Sequence, residues 1–133
     1  MTQTISNPEP AGAAPAPYLD CERLDCYRVA VEFQAIAARI VTNRRLGALR
    51  DQLDRASVSI VLNIAEGAGR RSLRDKAHFF TIARGSATEC AAVLDLLLAR
   101  GLVSPADHRH GRGLLIRVVQ MLTRMAERGL QAI

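Results

Sequence analysis

Tryptophan is absent from the sequence, and aromatic residues make up only 4% of it, although 49% of the residues are hydrophobic. The core must therefore be built from Ala, Leu, Val and Ile, a composition that favours helix packing over a β-sandwich. No stretch alternates apolar and polar residues in the way that is typical of a strand. With 133 residues, the chain is long enough to form one compact domain with a core of its own.

Cysteine is also scarce. Cys21, Cys26 and Cys90 are odd in number and form no CxxC pair, so they do not make a disulfide framework and fit a reducing cytoplasm. Cys26 and Cys90 fall on apolar helix positions and are expected to be small core residues. The sequence starts with neither the basic nor the apolar region of a signal peptide, and no apolar run approaches the roughly 20 residues of a membrane span. These features predict a cytoplasmic protein with no membrane partner.

Lysine is almost missing as well. Lys76 is the only lysine among 18 basic residues, and the formal net charge is +5. Arginine is the better residue for bidentate phosphate contacts, so the composition is compatible with a nucleic-acid partner. An Ala- and Arg-rich chain is also the ordinary product of a GC-rich coding sequence, and charge bears on association rather than on fold. Composition alone leaves both interpretations open.

Proline divides the chain into two parts. Four of the five prolines lie in residues 1–20, which contain little to bury and are predicted to form a disordered tail. Residues 21–133 are predicted to form the bundle. The first helix is predicted over about 22–42, because apolar residues recur every three or four positions. Its inward positions are Cys26, Ala30, Phe33, Ala37 and Ile40.

The second helix, predicted over about 46–68, changes character along its length. From Ala56 to Ala65 no residue is charged. A helix that is apolar all round is buried all round, and the other helices of one short chain cannot easily surround it. The pattern therefore predicts that another subunit supplies the missing cover. Gly67 and Gly69 are expected to end the helix. Its inward seam is predicted to consist of Leu46, Leu49, Leu53, Ala56 and Ile60.

Two further helices begin at similar signals. Ser72 followed by Asp75, and Ser104 followed by Pro105, resemble capping-box starts, and Gly101 closes the third helix. Four helices with short connections predict an all-α, up-down-up-down bundle. The inward residues are expected to be Phe79, Ile82, Ser86, Cys90, Val93 and Leu97 in the third helix, and Leu115, Val118, Leu122 and Met125 in the fourth.

The sequence contains little that indicates an enzyme active site. A di-metal carboxylate site in a bundle needs two Glu-x-x-His motifs with two further Glu residues, and the chain offers only Asp75 with His78, beside Glu66 and Glu89. No serine or cysteine has an obvious His-plus-acid partner. The turn at 67–72, GAGRRS, lacks the GK[ST] of a Walker loop and follows a helix rather than a strand. We therefore predict no enzymatic activity, no metal and no cofactor.

Phosphate binding is the stronger functional candidate. Glycines beside basic residues at a helix start form a plausible phosphate-contact corner, and a one-sided basic face on the fourth helix would attract phosphate. The alternative is that both are solvated surfaces. The candidate contacts are Arg70, Arg71 and Arg74 at the turn, and Arg117, Arg124 and Arg128 on the fourth helix.

Polar residues inside the apolar second helix also admit an architectural interpretation. Asn63 lies on the inward seam and is predicted to be a buried hydrogen-bonding residue. Glu66 is predicted to be the partner of the turn's backbone or arginines. Folding the chain back near residue 70 places residue 55 near residue 86, so Arg55 and Glu89 are predicted to form a partly buried ion pair. Such groups can fix helix register without adding stability over apolar replacements.

The stretches SVSIVLNIAEGAGRRS (57–72) and FFTIARGSATE (79–89) resemble the four-helix-bundle proteins of ribosomal RNA intervening sequences, a family that includes the accessory variability determinant of diversity-generating retroelements. Val61 and Asp54 depart from the family, which commonly has Pro and Arg at these positions. The residues that match are Arg55, Ser59, Asn63, Ile64, Ala65, Glu66, Gly67, Gly69, Arg70 and Ser72, then Phe79, Ala83, Gly85, Ser86 and Glu89.

The resemblance implies a bundle that assembles into a homopentameric ring and has no catalytic activity. It points loosely to RNA or DNA binding, or to a protein partner such as a reverse transcriptase. The sequence therefore predicts a non-enzymatic homo-oligomer of unknown cellular role. The alternative is a basic nucleic-acid-binding accessory ring that acts with RNA, DNA or a reverse transcriptase.

Overall fold

Four helices joined by short connections account for most of residues 18–131, which are the residues that the computed structural model describes. The helices are α1 (Asp25–Ile40), α2 (Ala48–Ala68), α3 (Leu73–Ala99) and α4 (Pro105–Gln131), and two short 3-10 helices cover Asp20–Arg23 and Arg44–Leu46. Short connections make consecutive helices antiparallel neighbours. The predicted all-α, up-down-up-down bundle is thus confirmed, with no strand among the described residues.

Of the predicted tail, residues 1–20, the first 17 residues lie outside the described residues. Close to the predicted boundary, Asp20 begins a 3-10 helix that buries Cys21. Leu24 then takes an extended backbone conformation, so α1 begins only at Asp25. Within residues 18–131, none of the helices combines the length and the apolar composition that a membrane span requires.

The predicted helix starts and one predicted stop are confirmed in atomic detail. Ser72 Oγ accepts a hydrogen bond from the backbone N–H of Asp75, and Ser104 Oγ accepts one from Asp107, both at 3.0 Å. At the end of α3, Gly101 has a φ of 70°, and the Leu102 N–H donates to the Leu97 carbonyl at 2.8 Å. This backbone reversal is the Schellman motif that a terminal glycine permits.

The core lies between all four helices. α1 packs against α2 and α4, and α3 packs against the same two helices, so α1 and α3 occupy diagonal corners. Burial raises the pKa of the Cys26 thiol to about 11 and that of the Cys90 thiol to about 12, and both therefore stay protonated at neutral pH. The predicted inward residues that are buried are Cys26, Ala30, Phe33, Ala37, Ile40, Leu46, Leu49, Leu53, Ala56, Ile60, Cys90, Val93, Leu97, Leu115, Val118 and Leu122.

The first half of α3 is rotated relative to the prediction. Phe80, Ala83 and Ala87 are buried, whereas Ile82 is 40% exposed and Phe79 and Ser86 are half-buried. The sequence pattern predicted the neighbouring row of residues, Phe79, Ile82 and Ser86, to face the core. The buried track contains the alanines, and small side chains allow α3 to lie close to both α2 and α4. In α4, Met125 is likewise half-buried, and Ala126 occupies the core position.

Glycines set the closest helix contacts. Gly67 lies inside α2, not beyond its end, and a Cβ atom there would come within 2.7 Å of Phe80 Cε1. Gly69 follows as the residue that ends the helix, with ordinary right-handed backbone angles. In α4, a Cβ atom at Gly129 would overlap the carbonyl oxygen of Leu73. Close approach, not a left-handed backbone, therefore explains Gly67.

We expect Gly67→Ala to lower the free energy of unfolding by about 1 to 3 kcal/mol, because the added methyl group forces the packed Phe80 ring to move. Gly113→Ala is the matched control. Gly113 is also a helical glycine, but nothing lies within 4 Å of a Cβ atom there, so alanine should stabilise the helix by up to about 1 kcal/mol. Urea unfolding at one fixed protein concentration measures the free energy of unfolding of both variants. Equal effects of the two substitutions would contradict this account of Gly67.

Candidate functional site

A hydrogen-bonded polar group joins α2 to α3. The Ser59 and Ser86 hydroxyl oxygens are 2.9 Å apart. Asn63 Nδ2 donates to the Ser59 carbonyl oxygen at 2.9 Å and to Ser59 Oγ at 3.0 Å. All three side chains are half-buried. Asn63 is therefore less buried than predicted, and it reaches α3 only through Ser59.

The Ser59–Ser86 contact shows the register of the two helices. It places residue 59 opposite residue 86, whereas the sequence prediction placed residue 55 there, one helical turn away. Arg55 and Glu89 are both exposed, and among the described ion pairs none joins them. Arg55 Nε instead has a long contact of 3.5 Å with the Asp51 carbonyl oxygen. The predicted partly buried ion pair is wrong for the single chain, because both side chains extend into solvent.

Glu66 contacts the turn that follows it. Arg70 donates to Glu66 Oε2 from Nε at 3.1 Å and from Nη2 at 2.8 Å, which agrees with the partner predicted for Glu66. The Arg70 guanidinium carbon also lies 4.6 Å from the centre of the Phe79 ring. One carboxylate and one aromatic face thus hold Arg70 in place. Arg70 therefore has a structural role in the turn, through its contacts with Glu66 and Phe79.

Lys76 stabilises the end of α2 from the first turns of α3. Its ammonium group donates to the Ala68 carbonyl oxygen at 2.8 Å and contacts that of Gly67 at 3.4 Å. The last carbonyl groups of a helix have no partner within the helix and attract a cation. The turn at residues 69–72 is therefore closed by side chains from both of its ends.

The same end of the bundle contains a cavity of about 610 Å³. The 3-10 helix at Asp20–Arg23, the α2–α3 turn and the last turns of α4 meet there, because the start of α1 and the end of α4 lie at one end of an antiparallel bundle. Its lining combines five cationic side chains with an apolar wall and a single carboxylate. The lining residues are Asp20, Arg23, Leu24, Ala68, Gly69, Arg70, Arg71, Leu73, Lys76, Phe80, Met125 and Arg128. We call this space the end cavity.

The structure brings together only part of the predicted phosphate contacts. Arg70, Arg71 and Arg128 line the end cavity, and Arg124 lines a neighbouring recess of about 310 Å³ that also includes Arg23 and Arg128. Arg74 lines a different recess, beside His78 and Leu130. Arg117 lies eleven residues before Arg128 on α4, which is about 16 Å along the helix.

Two cationic residues of the end cavity were missed from the sequence. Arg23 precedes α1 and is distant in sequence from the other cationic residues of the lining, whereas Lys76 lies in the first turn of α3, two residues after Arg74. The signal that could have revealed Arg23 is topological, since an up-down-up-down bundle places the start of its first helix beside the end of its last. Lys76 could have been found as the last member of the basic stretch 70–76, although its contact with the end of α2 depends on the register of α2 and α3.

The residues considered for metal binding do not converge. Glu66 is paired with Arg70, Glu89 is exposed, and the His78 ring packs edge-on against Phe79 with 5.1 Å between ring centres. His108 is at the opposite end of the bundle, where its Nε2 lies 2.8 Å from Asp95 Oδ1. Across residues 18–131, no three His, Cys, Asp or Glu side chains form a group that could hold a metal ion.

Two apolar surfaces lie on opposite sides of the bundle. The α1–α2 surface is a groove of about 200 Å³ lined by Val31, Gln34, Val58, Val61 and Leu62, and Leu62 is 61% exposed. The α3–α4 surface is a recess of about 480 Å³ lined by Arg74, Ala77, His78, Thr81, Ile82 and Leu130. Neither surface shares a lining residue with the end cavity.

We expect Ser86→Ala to lower the free energy of unfolding by about 1 kcal/mol, because the half-buried Ser59 hydroxyl loses its partner on α3. Adding Ser59→Ala to this variant should cost less than the sum of the two single changes. Thr88→Ala is the control, because the exposed Thr88 hydroxyl bonds only to the Arg84 carbonyl of its own helix. Thermal or urea unfolding of the four variants measures the coupling. Strict additivity would show that the hydroxyl contact does not join the helices.

Comparisons with known proteins agree with this architecture. A family model described as 23S rRNA-intervening sequence protein matches residues 22–124. No curated protein matches the chain. A crystal structure of a protein of unknown function from the S23 ribosomal protein family of Bacteroides thetaiotaomicron VPI-5482 superposes with a TM-score of 0.70 at 19% sequence identity, covering 76% of this chain and 97% of that one. At this identity the likeness concerns the fold alone. The family match spans most of the chain, which therefore belongs to the 23S rRNA-intervening sequence protein family.

Proposed function

We propose that this protein is a non-enzymatic, cytoplasmic homo-oligomer whose copies associate through the α1–α2 and α3–α4 surfaces. The observation that carries the proposal is the exposure of Val58 and Leu62. Both lie in the uncharged segment Ala56–Ala65, on the side of α2 that the chain's own helices leave uncovered. Protonated, buried thiols with no disulfide support a reducing compartment.

The position of the two surfaces favours a ring. They involve different residues and face opposite ways, so the α1–α2 surface of one copy is available to the α3–α4 surface of the next. Contacts between unlike surfaces are heterologous, and they form closed rings when the rotation between copies closes. A two-fold dimer would leave one of the two surfaces uncovered on each copy. Five copies is the number that the family resemblance implies.

We expect Leu62→Glu to shift the protein to smaller species, because it places a charge in the centre of an apolar contact. Ile116→Glu is the control, since Ile116 is also exposed and helical but lines neither apolar surface. Sedimentation velocity at micromolar concentration measures both variants beside the unchanged chain. A monomeric unchanged chain, or an equal effect of the two substitutions, would contradict assembly through these surfaces.

A second candidate function is nucleic-acid binding at the end of the bundle that carries the end cavity. Arg23, Arg70, Arg71, Lys76 and Arg128 converge there from three separate segments, with Asp20 as the one carboxylate in the lining. A homo-oligomer with such a cluster on every copy would suit an accessory role with RNA, DNA or a reverse transcriptase.

We expect binding of single-stranded RNA to weaken with salt, with a log–log slope of about −0.7 for each phosphate neutralised. Arg71→Gln should make the slope less steep by about 0.7, because Arg71 is an exposed residue of the turn and its substitution removes one phosphate contact. Arg112→Gln, an exposed change near the start of α4 at the other end of the bundle, should leave it unchanged. Fluorescence anisotropy at several salt concentrations measures the slopes. Undetectable binding of single-stranded RNA at low salt would contradict nucleic-acid binding by this protein.

A further inference from the structure

We propose that the end cavity binds a nucleoside phosphate, with the phosphate against Arg71 and Arg128 and the base against the apolar wall. The proposal does not depend on self-association. It deepens the nucleic-acid candidate by naming a site for a single nucleotide. A volume of about 610 Å³ lies within the range of about 300 to 1,000 Å³ that is usual for small-molecule sites.

The charge of the lining selects an anion. Five cationic residues and one acidic residue surround the cavity, so its charge favours an anion over a neutral or cationic ligand. Two of the five already have structural partners within the chain. Arg70 is paired with Glu66, and Lys76 is bonded to the carbonyl groups at the end of α2.

The remaining cations are placed to hold a ligand. Arg71 belongs to the α2–α3 turn and Arg128 to the last turns of α4, and both are exposed. Arg23 approaches from the 3-10 helix, where its guanidinium carbon lies 5.8 Å from the Tyr18 ring centre. Guanidinium groups bind phosphate through paired N–H donors, which gives the contact direction as well as charge.

The apolar wall of the cavity favours a ligand that has an apolar group as well as a phosphate. Leu24, Phe80 and Met125 line the cavity. Phe80 is only 3% exposed, so the half-buried Leu24 and Met125 supply most of the accessible apolar surface. The thioether group of a methionine packs well against a flat ring. An inorganic anion would contact only the basic side of the cavity and leave this wall in water. A ligand that joins a phosphate to an aromatic base satisfies both sides.

The test uses calorimetric titration of the full chain with AMP, GMP, CMP and UMP, and with adenosine and inorganic phosphate as separate probes. We expect at least one nucleotide to bind about tenfold more tightly than adenosine or phosphate, a difference of about 1.4 kcal/mol. Arg128→Gln and Arg71→Gln should each weaken nucleotide binding by about tenfold. Arg117→Gln, on the same helix as Arg128 but outside the cavity, should not.

Two nucleotide sources are distinguished by competition with a single-stranded oligonucleotide that carries either a 5′-phosphate or a 5′-hydroxyl group. Displacement of the bound nucleotide only by the phosphorylated strand assigns the cavity to a strand end. No displacement by either strand assigns it to a free nucleotide. Circular dichroism confirms that each variant is folded. The proposal is overturned if no nucleotide binds, if phosphate alone binds as tightly, or if Arg117→Gln weakens binding as much as Arg128→Gln. Salt-dependent strand binding without nucleotide binding would overturn it and leave the nucleic-acid candidate standing.

Discussion

The Phe80 ring lies against the backbone of Gly67, and the arrangement of α2 and α3 depends on this contact. A side chain at Gly67 would collide with the ring, so the two helices meet closely only because that position is glycine. The contact lies at the penultimate residue of α2, and it sets how far α3 is displaced along its neighbour. Ser59 then faces Ser86, and the carbonyl groups of Gly67 and Ala68 come within reach of Lys76.

Local signals in the sequence predicted the helices well, and contacts between helices were harder to predict. Ser72, Ser104 and Gly101 act through atoms a few residues away, so their roles can be inferred from spacing alone. Phe79 and Phe80 are neighbours on two apolar tracks of one helix, and only the packing against α2 and α4 shows which track is buried. The Arg55–Glu89 pairing failed for a related reason, because helix register follows from the close contact at Gly67 and not from the length of the turn. The cavity was not predictable from spacing, because it joins three segments that are distant in sequence.

The apolar surfaces and the end cavity occupy different parts of the bundle, and their separation matters for both proposed functions. The α1–α2 surface lies along the sides of its helices. The α3–α4 surface shares no lining residue with the cavity, although Arg74 and Leu130 reach the same end of the bundle. Copies related by cyclic symmetry share one orientation relative to the ring axis, so a ring whose axis runs parallel to the helices would gather every cavity on one face. Weak binding at each cavity would then add up on a ligand long enough to reach several of them.

An even number of antiparallel helices returns the chain to the end of the bundle at which it started. Residue 18 and Gln131 therefore both lie at the end that carries the cavity, and the loop between α3 and α4 lies at the other end. The bundle is consequently suited to circular permutation, with a linker joining the two described ends and new termini opened near Gly101. Reporter groups attached to those new termini would sit a full helix length from the cavity, whereas groups attached at residue 18 or Gln131 would sit beside it.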